Sequence, residues 1–403
     1  MKKILLSLIA LGAILSFTSC EEENKLGGGN TDKAVYTKTQ FLGYAEGVAY
    51  ELKETANKLH AAWDPADGNY IKVFTLKETD EDLIVHENQQ EVIMEIIAGI
   101  STIATEVSGE KIGAPYNAGD VYGVESWYSF NSWTDYRDNL YSIQNSFYGK
   151  VITDDAAARA EMTAAKAATS SLYNYLLTSG TNAQVDQANE VNDNINAAIA
   201  HINDLVTDEK PFRDFVLEIA QEKPVHPEVT DLMTKIDQII ESFGAIQIAA
   251  STEDAQEVIE NYANNVVLVT YKNLKEEAAK LYTAVKAFID EPNQDNIEAA
   301  AEQWVKTRVP WEQSEAFLFG PVDTDGHDPH LDSWPLSQTL INSILIGTTL
   351  PPLNEFGGIF RDEVLGFHSM EYILYKNGDP RKVNELFDGE KVIIEATNEM
   401  NPQ

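Results

Sequence analysis

"FLGYAEGVAYELKETANKL", residues 41–59, sets the fold class. Its apolar side chains Phe41, Tyr44, Ala45, Val48, Leu52, Ala56 and Leu59 recur at intervals of three and four, the spacing that lines one helix face. The same intervals return at Val92, Ile93, Ile96, Ile97, Ile100 and Ile103, at Phe130, Trp133, Leu140 and Phe147, and at Val191, Ile195, Ile199 and Ile202. The stretch 154–177 is alanine-rich and favours helix. Pro227 suits the first turn of a helix over 227–248, and a long helix is expected over 252–290, stopped before Pro292. Period-two alternation is scarce, and 70–76 is the one candidate for a short strand pair. Loops are expected at 111–120, 207–211, 222–227 and 320–335. The expected fold is all-α, with two helical-bundle domains packed together, residues 36–252 and 253–403.

The chain carries 29 basic and 65 acidic side chains among its 403 residues, a formal charge of −36. That excess repels nucleic acid and anionic head groups, so no nucleic-acid partner is expected. Lys2 and Lys3, the apolar run 4–17 and small Thr18 and Ser19 precede Cys20, the pattern of an export signal. Cys20 is the only cysteine, which leaves no internal disulfide and no thiolate metal cluster. Its setting resembles a bacterial lipobox, with Phe17 where leucine is usual. The expectation is a lipoprotein signal peptide over 1–20, lipidation at Cys20 and a flexible tether over 21–35, containing Glu21-Glu22-Glu23 and Gly27-Gly28-Gly29. An ordinary signal peptide cut nearby is the alternative. The acidic run after the cysteine resembles the surface-export signal of Bacteroidetes lipoproteins. The expected location is the cell envelope, as an outer-membrane lipoprotein, with exposure at the surface as what that resemblance implies. No second apolar stretch is expected to cross a bilayer.

Chemistry concentrates near the carboxyl end. In "GFHSMEYILY", residues 366–375, His368 and Glu371 stand at i and i+3 and share a helix face. Imidazole plus carboxylate suits iron, zinc or manganese; the plainer reading is a core histidine satisfied by its glutamate. Arg308, Glu312 and Glu315 also fall at helical spacing, among Trp311, Phe317, Leu318 and Phe319. Such aromatic flanking points to a half-buried ion pair rather than a surface one. The stretch "GPVDTDGHDPHLDSWP", residues 320–335, adds Asp332 and Trp334 in a loop of the kind that carries function. Elsewhere, His86 opens an H-E-x-x-H-like run that fails at Gln90. Asp323, Asp325, His327, Asp328 and His330 lack the glycine and closing glutamate of a calcium loop, and His327 and His330 read as solvated. His60 and His201 read as structural.

At these residues the sequence resembles the imelysin-like family, also called the imelysin peptidase family. Gly366-x-His368-x-x-Glu371 matches its G-x-H-x-x-E motif. Arg308, Trp311-Glu312, Glu315-Ala316-Phe317 and Phe319-Gly320-Pro321 resemble another block, as do Asp328-Pro329 and Asp332-Ser333-Trp334-Pro335. "VESWYSFNSWTDYRDNLYSIQNSFYG", residues 124–149, resembles a block of Bacteroidetes members. The usual order is reversed, so the chain resembles a circular permutant whose usual first half begins near Glu257. A truncated or fused gene with an incomplete site is the alternative. The resemblance implies two bundle-like domains with the motif residues in an interdomain pocket. His368 and Glu371 would be its centre, Gly366 would admit a close helix, and Arg308, Glu312 and Glu315 would be neighbours. Asp332 and Trp334 would shape the rim, and Ser126, Asn131 and Ser132 would come from the other half. His368, Glu371 and Glu312 are the implied metal ligands, for iron or zinc.

Three functions follow. The first is a metal-linked uptake protein serving iron acquisition, with an iron species or an envelope protein as partner. The second is a zinc-type metallopeptidase, which needs a third ligand, an open water position and a general base. The third is a structural or adhesive bundle whose buried ions only hold its parts together.

Overall fold

In the computed structural model the stripe from Phe41 to Leu59 is the buried face of the helix Lys38–Trp63. Residues 34–78, 86–152, 163, 166–179, 182–208, 210–246, 253–347 and 349–394 are described. Thr37 starts this helix by accepting a hydrogen bond from the Gln40 amide at 3.1 Å, which satisfies an otherwise orphaned donor. Each large side chain fully buried on such a face contributes roughly 1.5–3 kcal/mol. The helix lies along Leu268–Asp290, which packs in turn on Gln294–Glu312. Asn293 caps the latter, accepting from the Asn296 amide at 2.9 Å. A second group, Gln89–Thr105, Ser132–Tyr148, Asn182–Thr207 and Pro227–Gly244, packs together, and Ser132–Tyr148 also touches Gln294–Glu312. The stripes at 92–103 and 191–202 are buried as their spacing requires, and the fold is all-α. Its small sheet joins Ala34–Thr37 antiparallel to Lys391–Ile394, with Tyr36 opposite Val392, and then to Phe387–Asp388.

Several local expectations change. Residues 70–76 hold a helical turn, Tyr70–Phe74, rather than strands. Tyr70 and Phe74 both reach the Trp63 ring, with centroids 4.8 and 5.4 Å away, and a helical turn brings i and i+4 together where a strand would hold them roughly 13 Å apart. Residues 111–120 are no loop: a π-helical turn, Glu106–Gly113, runs into the helix Ala114–Ala118. Pro115 sits in the first turn of that helix, where a missing amide costs little. The run Gln89–Ala118 is thereby long and apolar enough to cross a membrane, contrary to expectation, yet half of its apolar window is buried inside the fold. Residues 320–335 contain two short helices, Pro321–Thr324 and His327–Asp332. The expected helix over 252–290 appears as Glu253–Tyr262 and Leu268–Asp290, joined through a π turn, Ala263–Val267. The export signal, Cys20 and all but the end of the tether lie outside the described residues, as do 154–162 and 164–165 of the alanine-rich stretch, whose described part reaches α-helix only at Leu172–Ser179.

One close approach positions the site. The helix Gly366–Leu374 starts against the backbone of Leu331, with Gly366 at φ +74°. A Cβ at Gly366 would stand 2.2 Å from the Leu331 carbonyl oxygen. Gly366→Ala is therefore expected to lower stability by about 1–3 kcal/mol from backbone strain alone. Urea unfolding checks this, and an unchanged midpoint would show that the helix start tolerates a side chain.

Candidate functional site

Arg308 is the hub. It sits on the last turns of Gln294–Glu312 and is 1 % exposed. Its guanidinium contacts Glu312 one turn later and Asp332, and lies 3.4 Å from Asp135 Oδ2. Trp311 Nε1 donates to the other Asp332 oxygen at 2.6 Å. The Phe367 ring centre lies 5.1 Å from the guanidinium carbon. The half-buried pair expected from the sequence is a fully buried one.

His368 and Glu371 project from one turn of Gly366–Leu374 and are both fully buried. His368 Nδ1 is 3.1 Å from Glu371 Oε2, and Nε2 is 3.2 Å from Asp332 Oδ1, though not aligned for a hydrogen bond. Glu371 Oε1 accepts from the Tyr128 amide at 3.0 Å, the Ser129 amide at 2.8 Å and the Ser129 hydroxyl at 2.7 Å. The Trp334 ring lies against His368, with centroids 4.7 Å apart. From the other expected block, Ser126 donates to Asp135 Oδ2 and Asn131 Nδ2 to Asp135 Oδ1 at 2.6 Å. Ser132 donates to the Glu125 carbonyl, also at 2.6 Å. These three hold the loop and Asp135 rather than reaching His368 themselves.

Sequence reasoning missed Lys111, Ser129, Asp135 and Asn139. Asn139 Nδ2 donates to Glu312 Oε2 at 2.6 Å. Lys111 Nζ stands 3.3 Å from Glu315 Oε1 and 3.2 Å from Glu125 Oε2. A signal existed for two of them. Asp135, Asp138, Asn139, Ser142, Asn145 and Ser146 sit between large apolar residues on one helix, and all are buried. Lys111 carried none. His330, expected to be solvated, is half-buried on His327–Asp332, with Nδ1 3.0 Å from Asp362 and Nε2 3.5 Å from Glu51. His201 is structural as expected, its Nε2 2.7 Å from the Glu228 carbonyl.

In this interior Arg308, Lys111 and His368 face Asp135, Glu312, Glu315, Asp332 and Glu371, so carboxylates outnumber cations. Burial pushes Glu312 up to about 8 against the pull of Arg308 and Lys111. Burial also raises Glu315 and Asp135. Asp332 is the exception: burial works upward, but Arg308 and His368 hold it well below the usual carboxylate range. Burial disfavours the His368 cation, but Asp332 outweighs this and lifts the imidazole to about 9. Burial thus favours the protonated form of Glu312 near neutral pH and pushes Glu315 the same way. One oxygen each of Glu312, Glu315 and Asp332 lies within 4.8 Å of the other two. Glu312 Oε1 is fully buried and receives no aligned hydrogen bond. An all-oxygen set fits a hard cation such as manganese, magnesium or calcium best and admits borderline ferrous iron, whereas zinc favours nitrogen and sulfur. Of the expected ligands only Glu312 belongs to this set. His368 and Glu371 orient it through Asp332. Two surface grooves lie elsewhere, one beside Lys38 and Lys382, the other between Ser108 and Asp237.

The sequence profile of imelysin matches residues 27–246 and 267–398. A solved imelysin peptidase from Bacteroides ovatus is 30% identical, covers 86% of this chain and 96% of its own, and superposes with a TM-score of 0.70. Iron-regulated protein A of Synechococcus elongatus is 29% identical over 142 residues, 35% of this chain and 36% of that protein. The match thus spans little more than a third of that curated relative.

Two predictions follow from the charge arrangement. Asp332→Asn leaves Arg308 and His368 without their shared carboxylate and is expected to cost roughly 3–5 kcal/mol in chemical unfolding. His368 titrates at about 9 in the fold against an ordinary 6.5. Its charge therefore stabilises fully below 6.5, and that contribution is lost as pH rises through about 9. Wild type should lose on the order of a few kcal/mol over this window, and His368→Gln should flatten the decline. An equal decline in the variant would assign it to other groups.

Proposed function

The chain belongs to the imelysin family, and from that premise we propose that it holds a metal cation, or a metal-containing ligand, at the buried acidic cluster and serves iron acquisition from an anchored position in the cell envelope. The observation carrying this reading is the surplus of buried carboxylates that converges on Glu312, Glu315 and Asp332. Burying that many acids against fewer bases is costly unless protons or a cation complete the balance. A family relative named as iron-regulated supports the iron connection. The acidic total charge raises the local concentration of cations. Anchoring rests on Cys20 behind its apolar run.

A zinc-peptidase reading asks more of this geometry. His368 faces carboxylates through both nitrogens, and one Glu371 oxygen is filled by three donors. Neither offers the open coordination and free base that peptide hydrolysis needs. The reversed block order is read as a circular permutation. The break in the family match between 246 and 267 brackets Glu257, and the Ala34–Thr37 strand pairs with Lys391–Ile394. Neighbouring ends make such a rotation tolerable.

Equilibrium dialysis of purified protein against ferrous iron, manganese and zinc, read by elemental analysis, tests the metal site. Wild type should retain one iron or manganese per chain, and Glu312→Gln and Glu315→Gln should lose it. These near-isosteric changes mimic the protonated acids, so the fold should persist. Absence of retained metal in wild type, or equal retention in both variants, overturns the reading. For the anchor, Cys20→Ala should move the protein from the membrane fraction to the soluble one and abolish incorporation of labelled fatty acid.

A further inference from the structure

Lys111 has no part in the metal site as described above. It lies on the π-helical turn Glu106–Gly113, a rare geometry whose extra residue re-aims side chains and which recurs at functional sites. Here the widened turn carries a lysine inward until its side chain is only 10% exposed. Its backbone is held as well, since Tyr136 donates to the Lys111 carbonyl at 3.1 Å. The ammonium stands between two carboxylates of different standing. Glu315, 3.3 Å away, belongs to the cluster of converging oxygens. Glu125, 3.2 Å away, does not, and its Oε2 is buried without an aligned hydrogen bond. Inside the cluster Glu312 Oε1 is held by the Arg308 guanidinium, while the fully buried Nε2 of His368 beside Asp332 lacks an aligned partner. The cluster thus has a fixed positive charge at its edge, shared between Glu315 and a carboxylate outside the cluster.

We propose that Lys111 is a tethered counter-cation that competes with a hard divalent cation for the Glu312–Glu315–Asp332 cluster and is left paired with Glu125 alone when the cation arrives. This rests on the metal-binding reading and adds its regulation. Without metal, the ammonium neutralises part of the cluster and keeps its carboxylates from repelling one another. With metal, Glu315 turns to the cation and like-charge repulsion leaves the ammonium on Glu125 Oε2, the partner it already holds at 3.2 Å. The effect is to weaken binding. A protein that handles a cation as cargo must release it, and a competing internal charge lowers affinity without removing a ligand.

The test is manganese binding to the purified full chain by equilibrium dialysis, for wild type, Lys111→Met, Lys111→Arg, Glu125→Gln and Glu315→Gln, with melting curves alongside. Removing the competing charge in Lys111→Met should tighten binding by roughly tenfold or more. Lys111→Arg, which keeps the charge, should stay near wild type. Glu125→Gln should weaken binding, because the ammonium loses its partner outside the cluster, and Glu315→Gln should abolish it. If Lys111→Met is folded yet binds no more tightly than wild type while Glu315→Gln has lost binding, the counter-cation role fails and the metal site stands. If no form binds, the metal site itself fails and takes this proposal with it. If Lys111→Met does not fold, Glu125→Gln decides: unchanged affinity there refutes the mechanism, and weakened affinity supports it.

Discussion

A guanidinium with no access to water governs this structure. A buried charge is tolerable only when partners surround it in good geometry, and Arg308 draws its partners from three segments. Glu312 comes from its own helix, Asp135 from the Ser132–Tyr148 helix and Asp332 from the end of a short helix in an otherwise irregular stretch. The requirement spreads outward. Asp332 also faces His368, which faces Glu371, which is gripped by Tyr128 and Ser129. A single buried charge thereby sets the positions of helices that lie far apart along the chain.

The network has a second property, an excess of acid. Arg308, Lys111 and His368 are not enough to balance the carboxylates that the helices bring together, and burial pushes Glu312 and Glu315 toward their protonated forms. The hydrophobic surroundings of Trp304, Trp311 and Phe367 strengthen every electrostatic term there by excluding water. The roles then separate: Glu312, Glu315 and Asp332 face one another, while His368, Glu371, Asn139 and the 126–131 loop hold them in place. This division explains why a motif as short as G-x-H-x-x-E needs so much surrounding chain. Its glycine, imidazole and carboxylate are fixed respectively by Leu331, Asp332 and Ser129, none of which the motif contains.

Irregular backbone accompanies the polar interior. Ser126 and Phe130 adopt positive φ, at 50° and 62°, on either side of the amides that grip Glu371. The π turn at Glu106–Gly113 delivers Lys111. Such conformations cost energy in non-glycine residues and persist here where the surrounding hydrogen bonds and ion pairs hold them. Regular helices supply the rigid walls, and departures from regularity aim the charged groups.

Much of this was legible in the sequence. Apolar spacing is a local property, so the buried faces at 41–59, 92–103 and 191–202 could be read directly from residue order. The motif around His368 and the Arg308–Glu312 spacing were also visible, because one helix turn sets both. Tyr70 and Phe74 defeated the strand reading because a distant ring, Trp63, selected the helical turn. His330 left solvent because Glu51 and Asp362 were waiting for it. Lys111, Asp135 and Asn139 joined the buried cluster only through packing, which also brought Glu315 and Asp332 to Glu312. By itself the sequence determined the long helices and their buried faces, since periodicity acts over a few residues, but not the short turns at 70–74, 106–118 and 321–332. Only the tertiary structure decided which charge meets which, since pairing depends on ångström distances between segments that residue order leaves unspecified.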